Sequence, residues 1–203
     1  MSILLDILFP RYCFGCHHHG YYLCPICRSK IILKSIKPGD RLSLFRYNGP
    51  IKTIITELKF NFVSDVASEM AEFIAISIVT KYPNLLSYWQ EKNFVLTPIP
   101  LHPRRQNWRG YNQSELVCHH LSQQLKLGYD SHVLVRAKYI VPQTKIHDKL
   151  LRRQNTISSF KLINNKYQNI ILFDDVYTTG STIRSAKSVF PKNTQIWTLT
   201  IAG

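Results

Sequence analysis

Ile170 to Thr182, Ile-Ile-Leu-Phe-Asp-Asp-Val-Tyr-Thr-Thr-Gly-Ser-Thr, constrains the fold of this chain more than any other stretch. Its apolar run without polar alternation predicts a strand buried on both faces, as in a parallel sheet. Two acids, Asp174 and Asp175, follow where that strand should end. Thr178, Thr179, Ser181 and Thr182 then surround Gly180, just before a helical pattern at Ile183, Ala186, Val189 and Phe190. A strand end, a small-residue turn and a helix N-terminus bring free backbone N–H groups and the helix dipole to one point, which suits a phosphate. Carboxylates repel phosphate but suit what lies beside it, sugar hydroxyls or a hydrated Mg²⁺. The stretch therefore predicts a site for a phosphorylated sugar. An ordinary capped turn accounts poorly for all nine residues from Asp174 to Thr182 in this order.

The 203 residues suffice for one good core and a small appendage. Hydrophobic residues make up 45% and charged residues 19%, a globular rather than disordered composition. Lys and Arg number 26 against 12 acids, for a net charge of +14 that favours polyanions: nucleic acid, acidic lipid or phosphorylated metabolites. No apolar run approaches the ~20 residues of a membrane-spanning helix. The apolar start, Met1 to Phe9, carries Asp6 and lacks both a basic flank and a small-residue cleavage site, so no signal peptide is expected. The expected location is cytoplasmic, including the inner face of the membrane as a peripheral site.

Four of the five cysteines form two Cys-x-x-Cys pairs, Cys13/Cys16 and Cys24/Cys27, with seven residues between them. Each pair forms a knuckle with two thiolates aimed at one centre, and two knuckles complete a tetrahedral sulfur shell suited to Zn²⁺. All four ligand positions are filled by protein, so the metal is expected to be structural, and its binding would stabilise a segment with little apolar surface of its own. His17, His18 and His19 in the intervening loop are expected to form a polar, titratable surface.

Along the rest of the chain, a short apolar helix is expected from Ile3 to Phe9 and a strand from Arg41 to Tyr47, followed by a turn at Asn48-Gly49. Pro50 should open a helix with Ile51, Ile54, Ile55 and Leu58 on one face, ending near Lys59-Phe60. A second helix, Ser64 to Thr80, should bury Val66, Met70, Phe73, Ile74 and Ile78, and Tyr82 to Lys92 should form an irregular or short helical connection. Phe94 to Pro100 predicts a buried strand. It releases a loop, Leu101 to Gln113, carrying Arg104, Arg105 and Arg109, whose guanidinium groups suit a diphosphate. Asn112 should cap a helix with Leu116, Val117, His120, Leu121 and Leu125 inward, leaving Cys118 and His119 at its surface or flank. Val133 to Val135 is a short strand candidate. Gln143 to Asn155 is a basic segment that either closes over the site or connects through solvent. Asn169 to Val176 is expected as the central strand and Gln195 to Ala202 as the last. This alternation implies a mostly parallel sheet with helices on both faces, and ligands beyond the carboxyl ends of its strands.

The Asp-Asp-Val-Tyr-Thr-Thr-Gly-Ser-Thr run closely resembles the signature of type I phosphoribosyltransferases. Taken with the cysteine pairs, Tyr47-x-Gly49, Pro98-Ile-Pro-Leu, Arg105-x-x-x-Arg109-Gly-Tyr-Asn-Gln113, Gln143-Thr144, Arg152-x-x-Asn155 and Phe160, all in order, the chain resembles the ComF (ComFC/GntX) family over nearly its full length. The resemblance implies a type I phosphoribosyltransferase-like domain over 39–203, with a zinc-binding module over 1–38. It implies binding of phosphoribosyl diphosphate with Mg²⁺, and action in DNA uptake during natural transformation alongside uptake-machinery proteins. Carried onto this sequence, it gives Tyr177, Thr178, Thr179, Gly180, Ser181 and Thr182 to the ligand, with Thr178 to Thr182 on the 5′-phosphate. Asp174 and Asp175 take the ribose hydroxyls, directly or through Mg²⁺, and Arg105 and Arg109 face the diphosphate. An enzyme of this kind would displace diphosphate from the anomeric carbon through an oxocarbenium-like transition state, with an acceptor the sequence does not name. Two other readings are a non-catalytic phosphoribosyl diphosphate sensor and a zinc-dependent protein that handles single-stranded DNA. The segment between Gln143 and Arg152 is one residue longer than the family pattern.

Overall fold

The computed structural model describes residues 10–34, 40–60, 64–136 and 159–203. Five strands form one parallel sheet: β1 (Arg41–Phe45), β2 (Val95–Pro98), β3 (Gly128–Tyr129), β6 (Asn169–Val176) and β7 (Gln195–Ala202), in the order β1-β7-β6-β2-β3. A separate antiparallel pair joins β4 (Leu134–Arg136) to β5 (Phe160–Leu162). The helices are α1 (Pro25–Ser29), α2 (Gly49–Phe60), α3 (Ser64–Lys81), α4 (Pro83–Glu91), α5 (Pro103–Arg109), α6 (Gln113–Leu125) and α7 (Ser181–Lys187). No described helix is long and apolar enough to cross a membrane.

The apolar run at the start of β6 explains why the sheet is covered on both sides. Successive side chains of a strand point to opposite faces. Ile171 and Phe173 pack with the buried residues of α2, α3, α4 and α6, whereas Ile170 and Leu172 pack with Ile183 and Ala186 of α7 and with Leu134 and Phe160. Helices therefore lie on both faces, and β6 occupies the centre of the sheet, as the sequence predicts. In β7, Leu199 and Ile201 join the first face while Thr198 and Thr200 are buried; the Thr200 hydroxyl meets Ser43 Oγ at 2.8 Å.

The helices follow their sequence signals closely. In α2, Ile51, Ile54, Ile55 and Leu58 are all buried, and in α3 so are Val66, Met70, Phe73, Ile74 and Ile78, joined by Ala67, Ala71 and Ala75. The connection after Tyr82 is a regular helix, α4, because Pro83 sits in its first turn and Trp89 is fully buried. Two expectations are corrected. The arginine segment is a helix, α5: His102 Nδ1 accepts the Arg104 N–H, Pro103 occupies the first turn, and Gly110, at φ 75°, terminates it in the left-handed region. Cys118 is fully buried in the first-face core rather than at the surface, because Val117, Cys118 and Leu121 turn inward together; His119 is exposed as expected and His120 only half-buried. β3 and the antiparallel partnership of β4 with β5 carry little sequence signal, being two and three residues long. The expected helix Ile3 to Phe9 and the basic segment Gln143 to Asn155 lie outside the described residues.

The chain leaves β6 toward β7 through α7 on one face and leaves β2 toward β3 through α5 and α6, with α6 on the other. These connections diverge between β6 and β2, so a crevice opens there beyond the carboxyl ends, where open α/β sheets bind ligands.

Candidate functional site

The crevice is where Asp174 and Asp175 stand. Asp175 is buried and held from two helices: Lys59 Nζ lies 2.8 Å from Oδ2, and Gln113 Nε2 donates to the same oxygen at 3.1 Å. Asp174 Oδ1 accepts the Ser114 hydroxyl at 3.3 Å and the Asp175 N–H at 2.9 Å. Burial, followed by the neighbouring Asp175 carboxylate, pushes the Asp174 carboxyl up to about 7, against the opposing pull of the Asp175 N–H, Lys59 and Ser114. The pair therefore resists carrying two full negative charges unless a cation joins it.

Arg109, at the C-terminal end of α5, donates from Nη1 to Gln113 Oε1 at 3.1 Å and so extends the chain of contacts Arg109–Gln113–Asp175. Its Nε is buried with no hydrogen-bond partner among the described residues, leaving a donor available beside the acids. Burial and then Arg105 lower its pKa from the ordinary guanidinium value. Arg105 is exposed and acts on Arg109 through its charge. Asn112 secures the geometry by donating from Nδ2 to Ile99 O at 3.0 Å and accepting the Ser114 N–H at 3.1 Å, which fixes the start of α6 against the end of β2.

Gly180 makes the turn after the acids. Its φ of 72° lies in the left-handed region, and a Cβ there would collide with the Tyr177 ring and hydroxyl. The Tyr177 ring carries the Arg41 guanidinium 4.1 Å from its centroid, and its N–H donates to Ala202 O at 2.8 Å, tying the turn to β1 and β7. Thr178 and Thr179 are exposed; Thr179 Oγ1 lies 3.2 Å from Ser181 Oγ and accepts the Ser181 N–H at 3.4 Å, while Arg184 Nη1 donates to Thr179 O at 2.8 Å. The sequence-predicted residues of the turn and the acid pair thus lie together by chain continuity. Lys59, Gln113 and Ser114 join them from elsewhere; sequence reasoning assigned none of the three a role at the acids, although Gln113 closes the motif that begins at Arg105. Asn112 as a helix cap gave a further clue, since it places Gln113 and Ser114 in the first turn beside the strand end.

The cysteines form a second centre on the helical face. The Sγ atoms of Cys13, Cys16, Cys24 and Cys27 all lie within 4.8 Å of one another, near the separation of about 3.8 Å that four sulfurs take around one Zn²⁺. Gly15 and Cys24 donate their N–H groups to Cys13 Sγ at 3.4 and 3.3 Å. Burial would raise the Cys13 thiol, but the N–H groups of Cys24, Gly15 and Cys16 outweigh it and bring it down to about 6. Burial and the surrounding thiols push Cys27 up to about 12, the repulsion that a divalent cation would relieve. A Cβ on Gly15 would stand 2.7 Å from Cys27 Sγ, so only glycine permits this closeness. The donor set and geometry fit a structural metal such as zinc. His17, His18 and His19 are exposed around the loop, with the His19 ring 4.3 Å from that of Tyr12.

The module is not free-standing. Tyr22 and Leu23 donate their N–H groups to Glu69 of α3 at 3.1 and 2.7 Å, and Arg28 bridges Glu69 and Glu72. Cys13, Leu23, Cys24 and Cys27 belong to the same core as the helices of the sheet. A cavity of about 320 Å³ is lined from both the module and the start of α2, in part by Cys27, Lys30, Arg46, Pro50 and Ile51.

A five-stranded parallel sheet with helices on both faces, an acid pair and glycine turn at its carboxyl edge, and a four-cysteine centre against its helices define an α/β protein of the architecture the sequence predicts. No family model matches the chain. It is similar to DNA utilization protein YhgH of Escherichia coli O157:H7, 28% identical over 187 residues covering 89% of this chain and 78% of that protein. Competence protein F of Haemophilus influenzae is 28% identical over 201 residues, covering 94% and 84%, and Competence protein ComFC of Bacillus subtilis is 29% identical over 165 residues, covering 80% and 62%. A solved structure of the allosteric regulatory enzyme of purine biosynthesis has a TM-score of 0.40 and 12% identity, covering 72% of this chain and 30% of its own, a likeness too low to bear on the reading of the site. Similarity to YhgH, Competence protein F and ComFC over most of its length supports the resemblance of the chain to the ComF family.

Proposed function

We propose that the carboxyl edge of β6 binds phosphoribosyl diphosphate with Mg²⁺, in a protein that serves DNA uptake as the names of its relatives suggest. The supporting observation is the convergence of Lys59, Gln113 and Ser114 on Asp174 and Asp175, immediately before the Gly180 turn. In this reading Thr178 to Thr182 receive the 5′-phosphate, with Tyr177 packed behind Gly180. Asp174 and Asp175 hold the ribose hydroxyls, directly or through Mg²⁺. Arg109 offers its Nε–H, which has no partner among the described residues, to the diphosphate, and Arg105 adds positive potential. When bound, Mg²⁺ supplies neutralisation of the diphosphate charge. Lys59 stands in for that cation at Asp175 and has to share or release the carboxylate when the ligand enters. The division into a zinc module over 1–38 and a sugar-phosphate domain over 39–203 belongs to the same proposal.

Calorimetric titration with phosphoribosyl diphosphate tests it. Binding should require Mg²⁺ and be lost in Asp174→Asn/Asp175→Asn. Equal binding by that variant removes the acid pair from the site. Diphosphate release in the same sample separates a transferase from a non-catalytic sensor.

A second reading, contact with single-stranded DNA, is favoured by the net charge of +14 and by the DNA-related name of YhgH. Neutralising six to ten phosphates would weaken binding about 10³- to 10⁵-fold between 50 and 200 mM salt. A salt-insensitive affinity counts against it.

A further inference from the structure

Beside the acid pair, the rim of the crevice carries two large aromatic side chains in water. Trp108 is 70% exposed and Phe60 is 53% exposed. Single exposed apolar residues are ordinary, but these two meet edge to face, with ring centroids 5.6 Å apart at 71°. The Arg109 guanidinium lies 5.3 Å from the Phe60 centroid and holds the pair against the site. Arg104 is exposed on α5 four residues before Trp108, which puts a cation and an indole on one helix face. Pro-Arg-Arg-Gln-Asn-Trp-Arg, the whole of α5, contains no acid. Phe60 directly follows Lys59, the partner of Asp175, so the platform adjoins the sugar-phosphate crevice without belonging to it.

Rings open to water next to an exposed cation suit a planar base with a phosphate attached. A free base has no charge for Arg104, and in a duplex the faces of the bases are already stacked. We propose that Trp108 and Phe60 form a stacking platform for unpaired bases of single-stranded DNA, with Arg104 taking a backbone phosphate. This rests on the reading that the chain contacts DNA and names where it does so. A strand lying on the platform passes the mouth of the acid-pair crevice, so DNA and the sugar phosphate occupy adjacent positions.

The test is fluorescence anisotropy with a labelled oligothymidine of about ten nucleotides, a length within the range of single-strand binding sites. The full chain is compared with Trp108→Ala and Trp108→Phe, on this strand and on an abasic strand of equal length. Trp108→Ala should bind the oligothymidine about 5- to 150-fold more weakly, the range expected for loss of one base stack. Trp108→Phe should recover most of the affinity, and the abasic strand should not distinguish the three proteins. Equal binding of oligothymidine by Trp108→Ala and the parent overturns the platform while leaving DNA contact in place. So does an equal loss on the abasic strand, because the indole would then act through something other than bases. A Trp108 effect seen on RNA of matching length and absent on DNA also overturns it. Failure of the parent to bind any strand removes the DNA reading and the platform together, and the phosphoribosyl diphosphate titration remains a separate measurement.

Discussion

The cysteine centre and the acid pair are built in opposite ways. The first takes its four side chains from one stretch of fifteen residues, Cys13 to Cys27, and shapes them with local N–H groups. The second takes two adjacent residues from β6 and completes them with Lys59 from α2 and with Gln113 and Ser114 from α6. One is a local constellation with a nonlocal anchor at Glu69, and the other a local motif with nonlocal partners. The difference teaches that short spacing reveals which atoms a site starts from, while the fold determines what charge they carry.

The largest test strikes the local centre. Cys24→Ser, or treatment with a chelator, should lower Tm by more than about 10 °C, because a metal at this centre would supply much of the module's folding energy and the module shares the first-face core. Restoration of the melt by Zn²⁺ would establish the metal, and an unmoved melt would show that packing against α3 suffices alone.

Next comes the nonlocal partner of the acids. Lys59→Met leaves Asp175 buried without its cation and should cost about 1–3 kcal/mol in chemical denaturation, less than a fully buried pair because Lys59 is part-exposed. The same variant should bind Mg²⁺ more tightly in the presence of phosphoribosyl diphosphate. Weaker binding would mean that Lys59 contacts ligand rather than standing in for metal.

Gly180→Ala forces a side chain into a left-handed conformation against Tyr177 and should cost about 1–3 kcal/mol. Recovery in Gly180→Ala/Tyr177→Ala would separate the collision from the backbone strain.

A pH titration sharpens the comparison electrostatically. Folding raises Asp174 from 3.8 to about 7, so its proton is bound more tightly in the folded chain. The resulting stabilisation is complete below about pH 4 and is lost as pH rises through about 7. Metal-free protein should therefore lose stability from this group between those values, and Asp174→Asn should flatten that part of the profile. The smallest effect belongs to the anchor: Glu72→Ala breaks an exposed contact with Arg28 and should change stability by less than about 1 kcal/mol.

Much of this was legible in the chain. β6, β7, α2 and α3 follow from unbroken apolar runs and from helical spacing, because burial alone decides those elements. The four cysteines declared their centre by spacing. The helical state of α5 was missed because arginines beside a proline suggest a loop, although His102 and Gly110 cap it at both ends. Cys118 was misplaced by a stripe drawn through Leu116 and His120, when the inward face is turned toward Gln113, Val117, Cys118 and Leu121. The roles of Lys59 and Ser114, and that of Gln113 at the end of its motif, were illegible for a different reason: each is a polar residue without a partner in view until α2 and α6 deliver it to the acid pair.

α2 touches both regions. Pro50, in its first turn, stands against Gly15 of the cysteine knuckle, and Lys59, near its last residue, holds Asp175. Twelve residues of helix make a strut about 18 Å long. One rigid element thus borders the cysteine centre with its first turn and supplies the cation of the acid pair from its last.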